Sequence, residues 1–126
     1  PVGMAMVAAT VASGRWRPPV IVADPAPPSN PGPVALDPAE AGVLRELMRG
    51  VVTDGTGGAL LGVPGGDVHA KTGTAEFGTE DPPRAHAWII GFQGDVAFAV
   101  FVEGGESGSG TAAPIAARFL TELAAG

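Results

Sequence analysis

The sequence predicts an α+β fold, with a three-stranded antiparallel sheet at about 68–76, 86–93 and 96–102 covered by helices at about 2–13, 38–52 and 111–125. Three observations carry this prediction. The apolar period is helical near both ends and in one internal stretch, and it changes to the period of strands after Val68. Gly94-Asp95 joins the last two strand-like runs as a two-residue loop whose glycine permits positive φ, a hairpin signal. In the final run Val96, Phe98, Val100 and Val102 alternate with Ala97, Ala99 and Phe101, so both faces are apolar and a sheet covered on both sides follows.

Taken in order, Met4, Val7, Ala8 and Val11 recur at helical spacing, and Gly14 supplies a left-handed stop. Trp16 and Pro18-Pro19-Val20-Ile21-Val22 read as extended. From Ala23 to Leu36 the proline density excludes helix and central strand, leaving a surface loop or an edge connection. Asp37-Pro38-Ala39-Glu40 starts a helix: Asp caps free amides, Pro suits the first helical position, and Glu can reach back to the cap. Leu44, Leu47, Met48 and Val51 are its expected buried face, with Arg45, Glu46 and Arg49 mostly outside. That helix is expected to end near Val52, with one more turn at Ala59-Leu60-Leu61 and a reversal at Val63-Pro64-Gly65-Gly66. After the strands, a Gly/Ser-rich loop from Glu103 to Gly110 leads to the last helix, with Ile115, Ala116, Phe119, Leu120 and Leu123 inward and Pro114 confined to its first turn.

Bulk properties narrow the function. The 126 residues, 45% of them hydrophobic, can form one domain with a real core. A net charge of -6 with scattered Lys and Arg leaves no basic stripe, so nucleic acid is not an expected partner. There is no Cys and only two His, so neither a disulfide nor a metal site is expected, and no cofactor. No apolar run reaches the roughly 18 residues that span a bilayer. Pro1-Val2-Gly3-Met4 runs into the helical pattern without a capping side chain, as a cut through a longer protein would; residues 1–126 are expected to be a single domain or a fragment.

The chemistry concentrates in Val68-His69-Ala70-Lys71-Thr72-Gly73-Thr74-Ala75-Glu76. Lys71 offers a fixed positive charge to a carboxylate, Thr72 and Thr74 offer hydroxyl donors, and Gly73 leaves the strand edge open for a ligand to pair main chain to main chain. His69, His86 and Trp88 read as packing residues, and Glu76, Glu80 and Asp81 as a solvated acidic loop. Gly65-Gly66-Asp67-Val68-His69-Ala70-Lys71-Thr72 approximates a phosphate loop, but such a loop needs a strand before it and a helix after the Lys-Thr pair, and neither is expected here.

The run from His69 to Glu76, a polar loop and then His86-Ala87-Trp88-Ile89-Ile90-Gly91-Phe92 resemble the last part of the transpeptidase domain of penicillin-binding proteins, within the serine D,D-transpeptidase and β-lactamase-like superfamily. The likeness extends to Met4-Ala5-Met6-Val7-Ala8-Ala9 with Val11-Ala12-Ser13-Gly14, to Leu47-Met48-Arg49-Gly50-Val51-Val52 with Gly55-Thr56-Gly57, and to Gly110-Thr111-Ala112-Ala113-Pro114-Ile115-Ala116. Residues 17–36 fit no such pattern. The resemblance implies that the Lys-Thr-Gly strand lines a cleft where a peptidoglycan stem peptide ending in D-Ala-D-Ala, or a β-lactam imitating it, acylates a serine. It implies Lys71, Thr72, Gly73 and Thr74 as substrate-binding residues, with Lys71 and the backbone N–H of Thr74, one half of an oxyanion hole, as catalytic ones.

The family's nucleophile motif, Ser-x-x-Lys, is missing: the four serines, Ser13, Ser29, Ser107 and Ser109, have Trp16, Gly32, Gly110 and Ala112 three residues on. The chain alone is therefore expected to be inactive, the substrate-binding C-terminal part of a longer enzyme on the outer face of the cytoplasmic membrane. Its implied partners are the stem peptide, β-lactams and the remainder of the domain, with self-association of the isolated piece and no membrane contact by this segment. A catalytically silent binding or assembly module of the same fold is the alternative.

Overall fold

A computed structural model describes residues 1–20 and 32–126; the extended reading of Ile21 and Val22 and most of the proline-rich stretch lie outside them. Helix α1, Val2–Ser13, ends where expected, with Gly14 left-handed at φ 68°. The chain then makes β1, Arg15–Trp16, which pairs antiparallel with β2, Val34–Ala35. The sequence did not announce this ribbon, because strands of two residues are too short to show alternation. It is closed by the Leu36 amide donating to the Gly14 carbonyl at 2.9 Å.

Helix α2, Pro38–Thr53, begins as its sequence dictates, with the Asp37 carboxylate accepting from the amides of Ala39 and Glu40 at 2.8 and 3.3 Å. Its buried face differs from the expected one. Ala41, Met48 and Val52 are buried, whereas Leu44 and Leu47 are 40% and 63% exposed. Two arginines explain the rotation. Arg45 Nε donates to the Val11 carbonyl at 3.0 Å and Arg49 Nη1 to the Val68 carbonyl at 3.0 Å, so both lay their apolar stems inward and bond backbone at the tip. A 3-10 turn, Gly58–Leu60, follows and buries Leu60.

Strands β3 (Val68–Phe77), β4 (Arg84–Gln93) and β5 (Val96–Val102) form an antiparallel sheet in the order β3-β4-β5, each within two residues of its expected bounds. Gly73 stands opposite Trp88, and Ala87 opposite Val102. Gly94, at φ 53°, turns the β4–β5 hairpin. A π-helical turn, Gly108–Ala112, leads into α3, Ala113–Ala125, with Pro114 in the first turn. On α3 only Ala113, Ala116 and Leu120 are buried; Ile115, Phe119 and Leu123 remain about half exposed. The helix thus meets the sheet along a narrow seam of Ala113, Ala116 and Leu120, and the apolar side chains flanking it lie outside.

Both faces of the sheet carry core. On one, Val68, Ala70, Ala87, Ile89 and Phe98 pack with Val52, Leu60, Ala116 and Leu120; on the other, Phe92 packs with Val11 and Met48.

Candidate functional site

All four candidate residues lie mid-strand on β3, which among the described residues pairs only with β4, so its other side is a sheet edge. Alternation divides them. Thr72 and Thr74, opposite the buried Ile89 and Ala87, project to the α3 face of the sheet, while Lys71 and Gly73 project to the α1 face. The extended Lys-Thr pair also fits no phosphate loop, since β3 runs on to Phe77 with no helix behind it.

Lys71 is exposed and folds back over the strand, its Nζ donating to the Thr72 carbonyl at 2.6 Å. The carbonyls of Val68 and Thr72 thus both accept from side chains, Arg49 and Lys71, and stand in the same phase of the strand. Backbone groups of alternate residues point to the same side of a strand, so Thr74, two residues on, turns its N–H and C=O to that same edge. A cation and an outward-turned amide therefore sit next to each other on a strand edge that, among the described residues, pairs with no further strand.

The structure separates the two threonines. Thr74 is exposed. Thr72 is 9% exposed and its hydroxyl oxygen lies 2.5 Å from that of Thr56. Thr56, in contact with a candidate residue, was not singled out by the sequence reading, because nothing in the turn Gly55-Thr56-Gly57 indicates which strand it meets. The turn is clamped to the end of α2, with the Gly57 amide donating to the Val51 carbonyl at 2.7 Å. A side chain on Gly55 or Gly57 would come within 3.0 to 3.1 Å of Val51 backbone, so the turn packs tightly against the end of α2.

The penicillin-binding protein transpeptidase domain model matches residues 1–121. The chain belongs to this transpeptidase family. It is 40% identical over 72 residues to penicillin-binding protein 1A of Neisseria gonorrhoeae and 41% identical over 95 residues to the peptidoglycan D,D-transpeptidase PbpA of Mycobacterium tuberculosis. These alignments take in 56% and 64% of the chain but 8% and 18% of the relatives' lengths. Among solved structures, the D,D-transpeptidase domain of an Eggerthella lenta peptidoglycan glycosyltransferase superposes with a TM-score of 0.69 at 31% identity, covering 95% of this chain and 31% of that one. Pseudomonas aeruginosa PBP2 in complex with WCK 5153 gives 0.70 at 30% identity, with 95% and 28% covered. The expected α+β architecture is thus the fold of transpeptidase domains.

In this transpeptidase chain the strand is supported from both faces. On the α1 face a recess of about 310 Å³ is lined by Met4, Gly73, Thr74, Ala75 and Trp88. On the α3 face Gly108 presses on the ladder so closely that a methyl group there would lie 2.7 Å from the Gly73 nitrogen and 2.5 Å from the Trp88 carbonyl oxygen. The two histidines sit among aromatic rings. His86 is stacked on Phe77 at 4.1 Å, meets Phe101 edge-on, and accepts the Gly104 amide at Nδ1. His69 stacks on Phe92 at 4.6 Å with Nδ1 buried and unpartnered. Burial, and then the Arg49 guanidinium, hold its pKa below the ordinary 6.5, against an opposing pull from Asp67. Among the described residues, no helix is long and apolar enough to cross a membrane.

Proposed function

We propose that this chain supplies the substrate-gripping strand of a peptidoglycan D,D-transpeptidase, and that it is the C-terminal portion of that enzyme's catalytic domain. The observation that carries the reading is the edge of β3, where the Lys71 ammonium sits at the Thr72 carbonyl beside the outward-facing amide of Thr74. A stem peptide ending in D-Ala-D-Ala lies along this edge as an added strand. Lys71 and the hydroxyls of Thr72 and Thr74 hold its terminal carboxylate, and Gly73 keeps the approach clear. Relatives named for peptidoglycan D,D-transpeptidase activity support the same reaction here.

The reaction divides between this chain and a serine outside it. The serine oxygen bonds to the carbonyl carbon of the penultimate D-Ala, the peptide bond breaks, and the terminal D-Ala leaves as its amine carrying the serine proton. An acceptor amine then takes the acyl group and restores the serine. The Thr74 N–H donates to the oxyanion of each tetrahedral intermediate, a contribution of about 3 kcal/mol to the barrier for one such donor. Lys71 lowers the cost of negative charge nearby and biases proton movement among the hydroxyls. β-Lactams enter as imitations of the acyl donor. Peptidoglycan as substrate puts the work on the outer side of the cytoplasmic membrane. The remainder of the domain is the first partner, and apolar surface it leaves uncovered makes the isolated chain self-associate.

The test is covalent labelling with a fluorescent penicillin. The protein encoded by the complete gene is expected to take the label and the 126-residue chain to remain unlabelled. Labelling of the isolated chain overturns the assignment of the nucleophile to another segment, whereas an unlabelled complete protein favours a catalytically silent module that keeps the fold for binding or assembly.

A further inference from the structure

The contact between Thr56 and Thr72 assigns a task to a residue outside the gripping strand. Two hydroxyls in one hydrogen bond hold two protons. One is used between them, at 2.5 Å, and the other is free. If Thr56 donates, the free proton belongs to Thr72 on the strand; if Thr72 donates, it belongs to Thr56 and is lost to the strand. Which case holds matters because Thr72 is buried, at 9% exposure, and solvent has little access to it.

We propose that Thr56 is a positioning residue: it donates to Thr72 Oγ1 and thereby frees and directs the Thr72 proton toward the carboxylate held on β3. This rests on the carboxylate grip proposed above. Three features make Thr56 suited to the task. Its turn is seated on the end of α2, by the Gly57 amide on the Val51 carbonyl and by two glycines packed closely on Val51. The helix ahead of it is already tied to the same strand, since Arg49 bonds the carbonyl of Val68, two alternate positions before Thr72. A hydroxyl that accepts one bond is also polarised into a better donor for the next. Helix α2 and its turn thus hold β3 at two points of one phase, Val68 and Thr72, and the second point sets the direction of a proton.

The experiment compares acylation rates of the complete protein by a penicillin and by the methyl ester of that penicillin, which lacks the carboxylate charge. Thr56→Val is expected to slow acylation by the acid about tenfold, the worth of one hydrogen bond to a charged group, and to leave the slower reaction of the ester unchanged. Thr56→Ser, which keeps the hydroxyl, is expected to restore the acid rate, and Thr56→Val added to Thr72→Val is expected to cost nothing further. A Thr56→Val protein that reacts with the acid at the wild-type rate overturns the proposal, as does one that slows equally with acid and ester or is not rescued by Ser. If the wild-type protein shows no preference for the acid over the ester, the carboxylate grip itself fails, and this proposal with it.

Discussion

His69 illustrates how one side chain can be placed by packing and still leave a measurable trace. Stacked on Phe92 two residues before Lys71, it keeps a buried Nδ1 with no partner, and burial together with Arg49 disfavours its protonated form in the folded protein. Well above pH 6.5 folded and unfolded chains both carry the neutral ring, and nothing is lost. As pH falls through 6.5 the unfolded chain takes up a proton that the folded one accepts only at lower pH, so stability falls with pH through that window. His69→Phe, which keeps the stacking, is expected to remove this component. Urea midpoints measured on either side of pH 6.5 check it, since every other titrating group is common to the two proteins; an identical acid-side loss in both would exclude the effect. At this scale the sequence was partly legible. Lys71 and Thr74 are exposed on the strand as their motif suggests, but the burial of Thr72 against Thr56 depends on how a turn and a strand 16 residues apart meet, and no local pattern encodes that.

Elements were legible where one period ran long enough. The three strands of the main sheet were readable to within two residues because seven to ten positions of alternation leave little freedom. The ribbon at Arg15–Trp16 and Val34–Ala35 was not, since two residues make no pattern. The helices were readable in extent but not in orientation. On α2 the apolar count favoured Leu44 and Leu47, yet Arg45 and Arg49 face inward because each bonds a backbone carbonyl of another element. This gives Arg49 a structural role that its charge conceals. Its ion pair with Asp67 at 2.7 Å is mostly solvent-exposed on the carboxylate side and worth little, while its bond to the Val68 carbonyl closes the start of β3. Arg49→Met is therefore expected to cost about 1–2 kcal/mol, chiefly the orphaned carbonyl, and Asp67→Asn less than about 0.5 kcal/mol. Chemical denaturation of the two variants measures the difference, and equal costs would show that the ion pair carries the effect instead.

The molecule as a whole carries exposed apolar surface on two of its helices. Ile115, Phe119 and Leu123 recur every fourth residue along α3 and are 47%, 45% and 50% exposed, a continuous stripe beside the buried seam of Ala116 and Leu120. Leu47 and Val43 add a second patch on α2. Solved transpeptidase structures extend well past the 28% to 31% of their length that this chain matches, so the fold has ample further chain to lie against these faces. The two circumstances separate experimentally. For the 126-residue chain alone, sedimentation is expected to show a mass that rises with concentration, and Phe119→Glu with Leu123→Glu is expected to return it to the monomer, because a carboxylate cannot be desolvated in an apolar contact without a partner. In the complete protein the same pair of substitutions is expected to lower the melting temperature instead, as follows from the proposal that the remainder of the domain packs on this stripe. A monomeric chain at high concentration rules out self-association. An unchanged melting temperature in the complete protein shows that the Ile115, Phe119 and Leu123 stripe of α3 faces solvent there, while Ala116 and Leu120 still seal the helix to the sheet.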